Sequence, residues 1–249
     1  HGVLIWRRRF RMSQLMTDPL KTGATIGILG GGQLGRMLAV AAARLGFKTH
    51  IFEPGKNPPA GDVAHRVTTA EYDDEAALES FAAAVDVITY EFENIPTPAL
   101  DLLEKRRPIR PNREALRISQ DRITEKEFLA SLGLKTAPFA VVDTLADLET
   151  AIRSIGTPAI LKTRRFGYDG KGQSRLKSPD DATQAIADMN NAPSILEGFI
   201  NFLHEVSVIG ARSPSGDVAC FDPGENVHRN GILHTTTVPA NLTSSQRMD

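Results

Sequence analysis

The chain has little of what usually signals a specialised protein class. It contains one cysteine, Cys220, in 249 residues. That excludes an intrachain disulfide framework and any multi-cysteine metal site, and it suits a reducing cytoplasm. Cys220 lies in the apolar run Val218-Ala219-Cys220-Phe221 and is expected to be a buried small hydrophobe without a catalytic role. Charge of either sign is not in excess, because 29 Lys and Arg stand against 30 Asp and Glu. No basic field therefore points to nucleic acid, and no acidic surplus points to disorder. No apolar run approaches the roughly 18 residues of a membrane helix, and no internal repeat or low-complexity tract is present. The six histidines show no metal-ligand spacing. These absences leave a soluble protein whose partners are small molecules, with neither a nucleic acid nor a membrane among them.

What remains is ordinary globular composition, 41% hydrophobic and 24% charged, enough for one large domain or two small ones. The opening segment is basic at Arg7, Arg8, Arg9 and Arg11 but lacks the apolar centre and cleavage pattern of a secretory signal. Residues before Met12 read as upstream or added sequence, with a basic nucleic-acid arm as the alternative, and residues 1–23 are set outside the fold.

From Thr25 to Leu29 a short apolar run leads into Gly30-Gly31-Gly32-Gln33-Leu34-Gly35, after which Leu34, Met37, Leu38, Ala41 and Leu45 recur at helical spacing until Gly46. Strand, glycine turn and helix follow from that pattern. Further strands at Lys48–Phe52 and Val85–Thr89, separated by a helical stretch at 74–84, predict a parallel α/β domain. His50, inside the second strand, is expected to be packed. The pattern changes near residue 120, where Ser119 or Asp121 can cap a helix carrying Phe128, Leu129 and Leu132 and stopping at Gly133. Thr144 caps a helix with Leu145, Leu148, Ile152 and Ile155, ended by Gly156, and Ala159–Lys162 is strand-like. Ser178-Pro179 opens another helix. The remainder reads as strands at 194–197, 205–211, 218–221 and 232–238.

Two glycine loops carry the chemistry. The first, 30–35, fits Gly-x-Gly-x-x-Gly between strand and helix, and Glu53 ends the next strand. An NAD(P)-dependent oxidoreductase is one reading, since such glycines let a pyrophosphate approach a helix N-terminus while an acid holds a ribose hydroxyl. Close helix–strand packing around a tight turn is the plainer one. The second loop follows the strand ending at Lys162 and runs Arg164-Arg165-Phe166-Gly167-Tyr168-Asp169-Gly170-Lys171-Gly172-Gln173. Exposed N–H groups and Lys171 there can close on a triphosphate, with Lys162 as a fixed charge; a solvated turn is the alternative. Glu197 and Glu205 are strand-end acids suited to an adenine amino group, a ribose hydroxyl or magnesium. His228, in the turn-like stretch 226–231, can contact phosphate or nucleotide, although exposed loop histidines are common. A dehydrogenase does not need a second glycine loop behind a lysine strand.

The runs GILGGGQLGRML, TYEFENIP, QDRITEKEFL, LKTRRFGYDGKGQ, ILEGFINFLHEVSVIGAR and ENVHRNGILHTT together resemble the 5-(carboxyamino)imidazole ribonucleotide synthases of the ATP-grasp superfamily. The resemblance covers Thr25 to the C-terminus, and Gly-Tyr-Asp-Gly-Lys-Gly-Gln is its most specific part. It implies an α/β ATP-grasp architecture: an N-terminal parallel α/β (pre-ATP-grasp) domain at 24–120, a small α+β lid domain at 121–200, and the start of a third α+β domain at 201–249. It implies ATP against Arg122, Lys162, Gly167, Tyr168, Asp169, Gly170, Lys171, Gly172, Gln173, Glu197, Gly198, Phe199, Ile200, Glu205 and His228. Lys162, Tyr168, Asp169 and Lys171 would be catalytic, and aminoimidazole ribonucleotide would meet Gly32, Gln33, Leu34, Glu91, Tyr168 and Asp169. In this family the first glycine loop holds the ribonucleotide phosphate instead of NAD.

The implied reaction uses ATP and bicarbonate to form carboxyphosphate, which carboxylates the exocyclic amine of the ribonucleotide in purine biosynthesis. Homodimerisation and a magnesium requirement come with the family. So does roughly another hundred residues beyond a point like Asp249, bearing the magnesium ligands and completing the ribonucleotide pocket. On that expectation no metal ligand lies in this chain, and a chain ending at Asp249 is inactive.

Overall fold

The structure, a computed structural model, describes residues 19–167, 171–229 and 231–247. The chain divides into two compact units, at 1–124 and 125–249.

The first unit alternates strand and helix: β1 Thr25–Leu29, α1 Gln33–Arg44, β2 Lys48–Phe52, β3 Arg66–Thr68, α2 Glu75–Ala83, β4 Val87–Tyr90, α3 Thr97–Glu104, α4 Arg113–Ser119 and the start of α5 Arg122–Ser131. Its four strands are all parallel, in the order β3-β2-β1-β4. Adjacent residues of a strand face opposite sides of the sheet. Accordingly Leu29 and Phe52 enter one core with Leu78, Phe81, Leu100 and Leu103, while Ile28 and Ile51 enter another with Ala39 and Ala60. The buried side of α1 consists of Gly35, Ala39 and Ala42, small residues that let the helix lie close on its neighbours. A Cβ at Gly35 would stand 2.8 Å from the Gly30 carbonyl oxygen. The larger residues whose recurrence predicts this helix, Leu34, Met37, Leu38 and Leu45, are exposed: the period is right and the buried side is another one. His50 is 1% exposed, with its ring edge on Phe81 at 4.8 Å. Strand β4 starts at Val87, two residues later than expected, and α3, α4 and β3 carry no strong sequence signal.

The second unit opens with α5, then β5 Phe139–Val142, α6 Leu145–Ile155, β6 Ala159–Thr163, β7 Gln173–Leu176, α7 Ala182–Asp188 and β8 Ser194–Gly198. The strands form an antiparallel sheet in the order β5-β8-β6-β7. The cap on α6 is reciprocal, Thr144 Oγ1 accepting from the Asp147 N–H at 3.2 Å and Asp147 Oδ2 accepting from the Thr144 N–H at 2.9 Å. Such a cap contributes about 1 kcal/mol. Helices α6 and α7 cover one face of the sheet, where Val142, Leu148, Ala159, Leu161, Leu176 and Leu196 make a closed core. The opposite face carries the polar residues described below. Pro179 lies in a short 3₁₀ turn, Pro179–Asp181, that precedes α7.

Strands β9 Glu205–Ser207, β10 Gly210–Arg212, β11 Val218–Cys220, β12 Gly224–Arg229 and β13 Ile232–Thr237 follow. Three expectations fail here. The single strand foreseen at 205–211 is two, β9 pairing with β12 and β10 with β11. His228 lies within β12, where a turn is expected, because residues 224–229 pair with β9 and β13. Cys220 is exposed, since the β10–β11 ribbon exposes all its residues and an apolar run buries nothing without a second layer.

Candidate active site

Each unit presents one polar constellation. In the first, β1 is flanked by β2 and β4, with Leu29 in register with both Phe52 and Tyr90. The residues immediately after those partners, Glu53 and Glu91, therefore emerge on either side of the glycine turn. The Gly31 N–H donates to Glu53 Oε2 and the Gly32 N–H to Glu91 Oε1, each at 2.8 Å. Glu53 also accepts from the Gly55 N–H at 3.0 Å. Gly30 has φ +99°, and a Cβ there would stand 2.9 Å from the Glu91 side chain. A cleft of about 410 Å³ opens here, lined by Gly31, Gly32, Glu53, Lys56, Tyr72 and Glu91 among others. It lies at the carboxyl ends of parallel strands, where open α/β sheets bind ligands. Burial first, then the neighbouring Glu53 and Glu91 charges, pushes the Tyr72 phenol above its ordinary value. The amides expected to greet a phosphate or pyrophosphate already hold carboxylates, so this turn is an acceptor-rich site for hydroxyl and amine donors. Gln33 and Leu34 follow as exposed first residues of α1.

In the second unit the face of the sheet opposite α6 and α7 gathers Phe139, Ile160, Lys162, Gln173, Arg175 and Glu197, because those positions share one strand parity across the ladder. Lys162 pairs with Ile195 in register, so Glu197 is its diagonal neighbour, within reach of a long side chain. Lys162 Nζ donates to Glu197 Oε2 at 2.8 Å, and Lys126 Nζ, from α5, lies 3.4 Å from Glu197 Oε1. Burial opposes the charge on Glu197, but the Lys162 hydrogen bond and the two ammonium charges outweigh it and hold the carboxyl below its usual range. The Thr163 N–H donates to the Gly172 carbonyl at 2.8 Å, closing the base of the second glycine loop. Gly172 itself has φ +67°, with Thr163 Oγ1 only 2.6 Å from where a Cβ would be. Arg175 stacks over Phe199 at 4.3 Å, and the Gly198 and Phe199 N–H groups donate to Pro138 and Pro158. Ile200 follows, half exposed. Glu205 and His228 meet across β9 and β12, with Nδ1 and Oε1 3.2 Å apart.

The structure thus brings Lys162 to Glu197 and Glu205 to His228 within the second unit, with Gly172 and Gln173 at the start of β7. Arg122 begins α5, four residues before Lys126. Gly167 and Lys171 border the second loop, whose residues Tyr168, Asp169 and Gly170 lie outside the described residues. Lys126 is not among the residues to which the sequence motifs point. Its signal was the four-residue spacing from Arg122, which puts both cations on one face of a helix. Among the described residues no group of three or more His, Cys, Asp or Glu side chains is placed to hold a metal ion. No helix among them is long and apolar enough to cross a membrane.

Residues 23–120 match the ribonucleotide synthetase preATP-grasp domain model and residues 127–249 the ATP-grasp domain model. The chain is 57% identical over 223 residues to the N5-carboxyaminoimidazole ribonucleotide synthase of Brucella melitensis biotype 1, covering 89% of this chain and 62% of that protein. The crystal structure of N5-carboxyaminoimidazole synthetase from Staphylococcus aureus complexed with ADP superposes with a TM-score of 0.88 at 40% identity, over 94% of this chain and 63% of that one. That of the Aspergillus clavatus synthase in complex with ADP and 5-aminoimidazole ribonucleotide gives a TM-score of 0.80 at 27% identity, over 90% and 59%. The chain spans about three fifths of the length of these relatives. The oxidoreductase reading of the first glycine turn finds no support in them, and the turn's own amides are taken by carboxylates. With a parallel sheet matching the preATP-grasp model and an antiparallel, lysine-bearing sheet matching the ATP-grasp model, this chain belongs to the N5-carboxyaminoimidazole ribonucleotide synthase family of ATP-grasp proteins.

Proposed function

We propose that this chain carries the ATP site and part of the ribonucleotide site of a ligase that carboxylates 5-aminoimidazole ribonucleotide with ATP and bicarbonate. The observation that carries this reading is the paired Lys162 and Glu197 on the face of the second sheet opposite α6 and α7, at the base of the Gly167–Gln173 loop. Lys162 offers phosphate a fixed ammonium donor, and Lys171 and the loop N–H groups add further donors. Glu197 accepts from the adenine amino group and Glu205 from a ribose hydroxyl. His228, Arg122 and the segment Glu197–Ile200 complete the nucleotide contacts. Tyr168, Asp169 and Glu91 address the aminoimidazole ribonucleotide, with Gly32, Gln33 and Leu34 beside it. The carboxylates of the first unit's cleft suit its hydroxyl and amine donors better than its phosphate.

Phosphoryl transfer asks a protein mainly for positioning and for positive charge against the transferring group. ATP phosphorylates bicarbonate, and the carboxyphosphate delivers carbon dioxide to the exocyclic amine, leaving the carbamate, ADP and phosphate. A closed loop protects the acyl phosphate from water. The lid boundary at residue 200, a magnesium requirement, homodimerisation and a cytoplasmic location belong to the same proposal and rest on family membership. The test is phosphate release from ATP, magnesium and bicarbonate with and without the ribonucleotide, using this chain and a version extended to the length of its relatives. Release that requires the ribonucleotide supports the reading. Release indifferent to it in both versions overturns the substrate assignment.

A further inference from the structure

Glu197 has a cation on each oxygen, Lys162 Nζ 2.8 Å from Oε2 and Lys126 Nζ 3.4 Å from Oε1. Two ammonium groups on one carboxylate leave a net positive charge in a site where all three side chains are at most 22% exposed. Low exposure makes an uncompensated charge costly, so the cluster is built to receive an anion. Its two lysines are not equivalent. Lys162 stands on β6 just before the glycine loop, where polyphosphate is expected. Lys126 comes from α5, and its ammonium lies 5.8 Å from the Phe139 ring centroid, close enough for the ring face to attract it. Phe139 is in register with Glu197 across β5 and β8, so the ring and the carboxylate hold Lys126 from the same face of the sheet.

A polyphosphate carries more negative charge than a single carboxylate and recruits Lys162. With Lys162 as its sole partner, Glu197 would lose its counter-charge at the moment it has to hold the nucleoside. We propose that Lys126 is the standing partner of Glu197, keeping that carboxylate charged and aimed while Lys162 transfers to the phosphates. Nucleoside and phosphates are then held together by groups that compete for one another in the empty site. This rests on the adenine-nucleotide reading given above. Lys126 is a positioning residue: it acts through Glu197 and does not touch the nucleotide.

The test is calorimetric binding of ADP and of inorganic triphosphate to this chain, unaltered and as Lys126→Met, Lys126→Arg, Glu197→Gln and the Lys126→Met/Glu197→Gln double variant. Lys126→Met is expected to weaken ADP about tenfold or more and triphosphate, which engages Lys162 but not Glu197, several-fold less; Lys126→Arg restores most of the ADP affinity. In the Glu197→Gln background the Lys126 change adds little, because its target is gone. Equal losses for ADP and triphosphate, or an undiminished loss in the Glu197→Gln background, overturn the inference, as does wild-type ADP affinity in Lys126→Met. Where Lys126→Met does not fold, Lys126→Arg decides, and an ADP affinity no better than that of Glu197→Gln overturns it. An unaltered chain that binds neither ligand overturns the nucleotide reading itself.

Discussion

Acidification should loosen the first unit through one buried ring. His50 is 1% exposed on β2, its Nε2 is 2.8 Å from Thr68 Oγ1, and its buried Nδ1 has no hydrogen-bond partner among the described residues. Burial, followed by the charges of Arg66 and His65, lowers its pKa from 6.5 to about 4. A histidine held neutral by folding adds no penalty above the unfolded value, where both states are neutral. Below 6.5 the unfolded chain takes up a proton that the folded chain refuses, and stability falls until the folded pKa is reached. Between pH 7.5 and 4.5 that amounts to about 2.5 kcal/mol, from 1.36 kcal/mol per tenfold. The perturbation is His50→Gln, which keeps a polar side chain and removes the titration. The assay is hydrogen exchange of the β1 and β2 amides across that pH range, read as opening free energies. The variant is expected to be less stable at pH 7.5 but to lose about 2.5 kcal/mol less than the wild type on acidification. Parallel pH profiles would refute the reasoning. Glu53 lies one residue past the end of β2, so the acid-sensitive strand is also one that delivers a carboxylate to the cleft.

Gly30→Ala places a side chain at φ +99° and against Glu91; a loss of about 1–2 kcal/mol is expected, together with weaker ribonucleotide binding, checked by urea unfolding and by titration with the ribonucleotide. Leu161→Ala empties a fully buried position in the core beneath α6 and α7 and should cost the second unit about 2–5 kcal/mol, seen as a lower urea midpoint for exchange protection in β6 and β8. Glu197→Gln should remove an acid-labile contribution from the second unit. A carboxyl held below its usual range stabilises above the unfolded value and loses that contribution as pH falls through the folded one, so the variant's stability should fall less between pH 5 and 3.

Several features were legible in the chain alone because local rules set them. The run from β1 through the glycines to α1 needs only a strand's apolar residues, a residue able to take positive φ at Gly30 and a helical period. The reciprocal cap at Thr144 and Asp147 is closed within four residues. Lys162 at the end of a strand that runs into a glycine loop follows from the apolar run before it and the glycines after it, whereas the returning strand β7 is not foreseen. The family was legible too, since six motifs in order carry more information than any one spacing.

Other features depended on partners distant in sequence. That α1 buries Gly35, Ala39 and Ala42 and not its larger residues depends on how closely the helix approaches β1, which no periodicity reports. Whether Cys220 is covered depends on a second layer that its apolar neighbours cannot announce. The glycine turn looked like a phosphate cradle by pattern, yet its amides meet Glu53 and Glu91 because β2 and β4 flank β1. Strand order is a long-range fact. Lys126 joins Glu197 only because α5 lies against the face on which strand parity has set Phe139, Lys162 and Glu197. Short-range backbone chemistry wrote the elements and the loops; the charge environment of the site came from strand order and helix placement, which bring together groups as much as 71 residues apart.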